Sequence, residues 1–246
     1  MLGLSRIASR AAAVFRRSAP SSVAPSADAA ESSAEIFSAI YSKQLWADPT
    51  HDVEAFYSGL GSHDPAIVRQ YTEAVSGFLH AFGLPPDVVD LGCGDFNVGR
   101  QIRPLCARYV ACDVVPRLIE HNRQRFADLD VDFRCLDISE DPLPTGDVVF
   151  IRQVLQHLSN ARIAKVLAKL SSYRFVVITE HIPLAKFKPN VDMCTGQTIR
   201  LLQRPASGVV VTAPPFNCAF SGQRTLCEVF QFGGVIRTIA YEQAFD

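Results

Sequence analysis

One segment restricts the fold of this chain more than any other: Val88-Val-Asp-Leu-Gly-Cys-Gly-Asp-Phe-Asn-Val-Gly99. A short apolar run stops at a turn built on Gly92 and Gly94. Glycine there lets the backbone take positive φ and come close to a ligand. Open α/β sheets bind ligands at such turns, beyond the carboxyl ends of their strands.

The residues that follow alternate strand and helix. Short apolar runs at Asp87–Leu91, Tyr109–Asp113, Val131–Leu136, Asp147–Ile151 and Arg174–Thr179 predict five strands. Helices are predicted between them at Val98–Ala107, with a kink at Pro104, at Pro116–Ala127 and at Ala161–Ser171. Near-continuous apolar strands separated by helices predict a parallel sheet covered on both faces. Val209–Thr212 and Val235–Ile239 suit a terminal antiparallel pair. The predicted class is therefore α/β, a doubly wound, mostly parallel, seven-stranded sheet.

Ahead of it, Ile36, Phe37, Ile40 and Tyr41 share a helical face, and a longer helix spans about Asp64 to Phe82. Asp64 suits its N-cap, Pro65 its first position and Gly83 its end. Three regions result: a leader over 1–34, a helical cap or lid over 35–83, and a ligand-binding domain over 84–246.

The leader carries Arg6, Arg10, Arg16 and Arg17 and no acid through residue 27. That composition suits a mitochondrial targeting segment. A solvated leader on an intracellular, cytoplasmic protein is the plainer reading, with the mitochondrial matrix as the alternative. No apolar run approaches the ~20 residues of a membrane span. A net charge of −1 supplies no overall basic field, so nucleic acid is not an expected partner. The cysteine count, seven, is odd and contains no C-x-x-C pair, which reads as reduced thiols in apolar surroundings and no zinc site.

The acids identify the ligand. A dinucleotide pyrophosphate asks for a third glycine where this loop has Asn97, and Asp95 would repel it. S-adenosylmethionine (SAM) carries an ammonium and a sulfonium, so Asp90 and Asp95 favour it over NAD. Asp113, about 20 residues on at the second strand end, suits a ribose diol and Val114 its surroundings. Asp137 ends the third strand, where it accepts from an adenine amino group while Ile138 covers the ring. Gly92, Cys93, Gly94 and Asn97 complete the loop.

Over residues 86–181 the chain resembles class I SAM-dependent methyltransferases, with Asp90-Leu-Gly-Cys-Gly94 as their first motif. Arg152-Gln-Val-Leu-Gln-His-Leu158 looks like the segment small-molecule members place after the fourth strand. The resemblance implies the Rossmann-like methyltransferase fold, SAM as cofactor and a small-molecule acceptor. In quinone-biosynthesis O-methyltransferases that segment holds a divalent metal with two glutamates and a histidine. Here Gln153 and Gln156 replace the carboxylates, so no metal is expected. A second likeness is to methyltransferase-like proteins that share S-G-x-G-S, here Ser58–Ser62, upstream of C-G-D-F, here Cys93–Phe96. It implies that the segment around Gly59 and Gly61 is a lid over the methionine end of SAM, the plainer reading being a loop.

His157 is the candidate base, predicted on a helix leaving the fourth strand. Glu180-His181, at the end of the fifth strand, is a weaker one. Arg152 and Gln153 are expected at the cofactor, Arg152 on a carboxylate. Ala213-Pro-Pro-Phe216 mimics the motif of adenine or glutamine amino-methylases, but its alanine cannot accept an amine and it lies beyond the fifth strand. Direct displacement from a sulfonium needs alignment and no nucleophilic triad. The rivals are a methyltransferase-like binding or assembly protein without catalysis, and an NAD(P)-dependent oxidoreductase.

Overall fold

The computed structural model describes residues 31–47 and 56–244. The leader and its targeting reading fall outside the described residues, apart from positions 31–34. Among the described residues no helix is long and apolar enough to cross a membrane.

Seven strands form one sheet: β1 (Val88–Leu91), β2 (Tyr109–Asp113), β3 (Asp132–Cys135), β4 (Val148–Arg152), β5 (Phe175–Pro183), β6 (Gly222–Gln231) and β7 (Gly234–Glu242). Their order is β3-β2-β1-β4-β5-β7-β6, parallel through β5. β7 runs antiparallel between β5 and β6. The strand order reverses between β1 and β4, which opens a crevice at their carboxyl ends.

Helices cover the sheet because alternate strand residues point to opposite faces. On one face Val88, Tyr109, Val148, Phe150 and Val177 pack against α3 (Pro65–His80) through its Tyr71, Val75, Phe78 and Leu79. On the other, Val89, Leu91, Val149, Ile151 and Val176 meet Ile163 and Val166 of α6 (Asn160–Leu167). Both faces of β1 and β2 are therefore fully buried. Each large apolar side chain so placed contributes ~1.5–3 kcal/mol.

Local chemistry fixes the helix starts. Ser32 and Glu35 form a reciprocal capping box on α1 (Ser33–Ser42). Asp64 accepts from the N–H groups of Ala66 and Ile67, with Pro65 in the first turn of α3. Between them lies α2 (Leu60–His63), a single turn where the sequence reading allowed a lid or a plain loop. The helix expected at Val98–Ala107 is α4 (Gly99–Ile102) followed by a 3-10 turn at Arg103–Leu105, which holds Pro104. α5 (Pro116–Arg125) joins β2 to β3.

Four expectations are corrected. Val209–Thr212 is not a strand; the partner of β7 is β6. Val209 and Val211 are instead plugged into the core, and Asn190 captures the chain there by bonding both the N–H and the carbonyl of Val210. β6 was illegible because this edge strand buries only Val229 and carries no apolar alternation. Its hairpin turns on Phe232 (φ 49°) and Gly233 (φ 75°), both left-handed as a two-residue turn of this kind requires. β5 runs on to Pro183, so Glu180 and His181 lie inside it, not at its end. His157 sits on a 3-10 turn, Leu155–His157, not on a helix; α6 starts at Asn160. The thiols are all free, but only Cys106 and Cys112 are buried, while Cys135 and Cys194 are exposed.

Candidate functional site

The loop after β1 folds as its glycines allow. Gly92 (φ 83°) and Gly94 (φ 56°) take the left-handed region. A Cβ on Gly92 would stand 2.3 Å from Val154 Cγ2, and one on Gly94 2.4 Å from Ser58 Oγ. The N–H groups of Gly92 and Cys93 donate to Cys112 O, and that of Gly94 to Asp113 Oδ2 (3.1 Å). Asn122, fully buried on α5, donates to Gly94 O. The turn is thus held to β2 on one side and α5 on the other.

Asp113 also accepts from Val115 N (3.1 Å), and burial pushes its carboxyl up to about 6. Asp90 accepts from Tyr109 Oη (3.0 Å), and burial likewise raises it to about 6. Asp137 accepts from the N–H and hydroxyl of Ser139. Burial works against its ionisation, but bonds from Ser33 and Ser139 and the Arg162 guanidinium 3.4 Å away hold its pKa below the ordinary value. Val114 and the nearly buried Ile138 stand beside these acids.

Asp95 lines the cavity and also makes bonds that the sequence did not suggest. Its Oδ2 accepts from Ser58 N (2.8 Å) and meets His63 Nε2 at 2.6 Å, while its own N–H donates to Ser58 Oγ (2.8 Å). Ser58 Oγ also bonds Tyr41 Oη (2.9 Å). Asp95 therefore latches the α2 segment over the glycine loop. Asn97 serves the same latch by donating to Ser62 O (2.7 Å), and it does not line the cavity. Arg152, at the end of β4, donates to Ser62 Oγ (3.1 Å) and Gly61 O and lies over the Tyr71 ring at 4.8 Å. Its guanidinium is bonded to the α2 segment, and the carboxylate partner expected for it is not its present contact. Gln153 (φ 56°) packs against Gly61, where a Cβ would stand 2.1 Å from Gln153 Oε1.

His157 turns its Nδ1 to Gly196 O (3.1 Å). A carbonyl only accepts, so Nδ1 carries the proton and Nε2 keeps its lone pair. Burial lowers the pKa to about 4, leaving the ring neutral at pH 7. Trp46 packs on it at 5.1 Å. Beneath the turn lies Arg200, with no exposed surface, donating to the carbonyls of Leu155, Gln156 and Leu158. No sequence signal marked it. Glu180 is buried nearby with neither oxygen hydrogen-bonded among the described residues, and burial pushes it up to about 8 against the pull of Arg200.

These parts enclose a cavity of about 720 Å³. It brings together Asp90, Gly92, Cys93, Gly94, Asp95, Asp113, Val114, Asp137, Ile138, Arg152, Gln153 and His157 and leaves out Asn97 and Glu180. Its size lies in the ~300–1,000 Å³ range of small-molecule sites. The sequence reading missed Phe37, Leu201, Gln231 and Phe232 in its wall. Only Phe232 had a signal, the Gly233-Gly234 pair that marks its hairpin.

Comparison with known proteins agrees with this architecture. Residues 89–173 match the model of a methyltransferase domain. A 59-residue stretch is 41% identical to malonyl-[acyl-carrier protein] O-methyltransferase of Acetivibrio thermocellus, covering 23% of this chain and 21% of that protein. The match thus spans about a fifth of the relative's length. Magnesium protoporphyrin IX methyltransferase (ChlM) of Synechocystis PCC 6803, solved with S-adenosylhomocysteine (SAH), superposes with a TM-score of 0.56 at 15% identity, over 86% of this chain and 98% of that one. N-methyltransferase NodS of Bradyrhizobium japonicum WM9, also with SAH, gives 0.54 at 13% identity over 73% and 88%. At such identities the shared property is the fold.

Proposed function

We propose that this chain, which carries a class I methyltransferase domain, binds SAM and moves its methyl group to an oxygen or nitrogen of a small-molecule acceptor. One observation carries the reading. Asp90, Asp95, Asp113 and Asp137 line one cavity at the carboxyl ends of neighbouring strands, and among the described residues the one guanidinium in its wall, Arg152, gives its terminal nitrogens to Ser62 and Gly61. An acidic, glycine-floored chamber suits a cationic nucleoside and repels a pyrophosphate.

The residues fit the cofactor. Asp113 has both oxygens fixed by backbone N–H groups, which leaves lone pairs for ribose hydroxyls. Ile138 and Val114 offer apolar walls to an adenine, and Asp90 a carboxylate to the ammonium. When bound, SAM supplies a methyl group on a sulfonium, already an able leaving group. The chain's contribution is alignment and desolvation. The latch of Ser58, His63 and Asp95 closes the loop from water, and Nε2 of His157 accepts the acceptor's proton. The N-terminal helices act as the cap of this site, and residues 84–246 form the domain that holds the cofactor.

The test is turnover of methyl-labelled SAM with a panel of hydroxyl and amine acceptors, following SAH. Formation that requires an acceptor and falls ~10²–10⁴-fold in His157→Ala supports the reading. Tight SAM binding with no SAH formed on any acceptor favours the non-catalytic rival.

A further inference from the structure

The cavity has two halves of opposite character. Its β1–β3 half carries the carboxylates. Its β5–β7 half is walled by Ile199, Leu201, Phe232 and Ile236, and its polar groups there are the uncharged Gln156, Gln197 and Gln231 with the imidazoles of His157 and His181. Of the two arginines that approach it, Arg200 lies wholly buried behind the His157 turn, spent on backbone carbonyls, and Arg152 gives its terminal nitrogens to Ser62 and Gly61 while its buried Nε has no partner among the described residues.

We infer that this half receives the hydroxyl group of an uncharged acceptor with an apolar body; the inference deepens the methyltransferase reading and rests on it. An acceptor carboxylate or phosphate would find no cation nearer than Arg152, whose terminal nitrogens are given to Ser62 and Gly61, and an ammonium would find no anion among the described residues of this half, so either ion is buried poorly paired. What the wall does offer are acceptors. The Nδ1 proton of His157 is held by Gly196 O, and the Nε2 proton of His181 by Gln231 O at 3.0 Å. Each ring therefore keeps one lone pair; that of His157 is approached only by the long contact from Gln156 Nε2 (3.4 Å), so a hydroxyl can donate there in its place. Phe232 adds the apolar surface. Its ring stands edge-on to His181 at 6.3 Å.

Base strength agrees with geometry. An alkylammonium, with a pKa of about 10.4, arrives protonated and without a lone pair. Burial leaves His157, at about 4, too weak a base to strip it. A hydroxyl arrives with its lone pair and becomes strongly acidic as it is alkylated. Its oxygen forms the new O–C bond, the C–S electron pair stays on sulfur, and the O–H proton passes to Nε2 of His157 and then to water.

The experiment is calorimetry on the SAH-saturated protein with three probes of one shape: 2-naphthol, 2-naphthoate and 2-naphthylmethylammonium. SAH is titrated alone first, and no SAH binding overturns the methyltransferase reading itself. With SAH bound, 2-naphthol is expected to bind about tenfold or more tighter than either ion. In Phe232→Arg, 2-naphthoate should gain about tenfold on 2-naphthol. Equal or tighter binding of either ion, or no binding of any probe at millimolar concentration, overturns this inference and leaves the cofactor reading standing.

Discussion

Asp113 shows how a single side chain is prepared for a ligand by its backbone. Gly94 N and Val115 N fix its oxygens, yet burial still raises it to about 6. Asp90 is raised to about 6 by burial as well. Two pH dependences of opposite sign follow. The carboxylates receive hydroxyl and ammonium donors best when ionised, so SAH affinity should climb from roughly pH 5 to 7 and then level off, as calorimetry at several pH values would show. The ligand-free fold holds protons that the unfolded chain releases, so these two groups make its stability fall as pH rises from about 4 to about 6. Glu180 extends that loss toward about 8, because burial raises it from 4.5 with neither oxygen hydrogen-bonded. Glu180→Gln should therefore gain most over the parent chain above pH 8, in urea unfolding followed at pH 6 and pH 9. A pH-independent difference between the two proteins would contradict this.

At the scale of elements, the α2 segment is the part whose contacts the sequence least revealed. Asp95 was legible as an acid beside a cationic ligand, yet its bonds run to Ser58 and His63. No reading of local pattern reveals a partner 37 residues away in the chain. Breaking the latch with Ser58→Ala removes the hydrogen bonds to Asp95 N and Tyr41. Each such bond is worth ~0.5–1.5 kcal/mol. Hydrogen exchange across 58–63 should quicken and SAH affinity should fall about 3- to 30-fold, with the global unfolding transition nearly unmoved. Unchanged exchange would mean that α2 is held by other means. The turn bearing His157 teaches the same lesson. Its register came from the sequence, but its support is Arg200, which lies far along the chain in a segment without periodicity. Arg200→Met should leave the turn's carbonyls unsatisfied and cost ~3 kcal/mol or more in unfolding.

At the scale of the molecule, the parallel half of the sheet was readable because both its faces are covered, so β1, β2 and β4 appear as unbroken apolar runs. The antiparallel edge was half readable. β7 is mostly buried, whereas β6 buries only Val229 and offers no pattern, so Val209–Thr212 stood in for it. The acidic half of the cavity followed from strand ends, which sequence locates well. The other half is assembled from Ile199, Leu201 and the Phe232 hairpin tip, which only the fold brings together.

The central claim is that these acidic strand ends hold a cationic nucleoside. Calorimetric titration of the folded protein with SAH, with NAD in a parallel cell, tests it most directly. Saturable one-to-one binding of SAH, silence with NAD, and a loss of about 10- to 100-fold in Asp113→Ala are predicted. No heat with SAH, or binding of NAD in its place, would contradict the account.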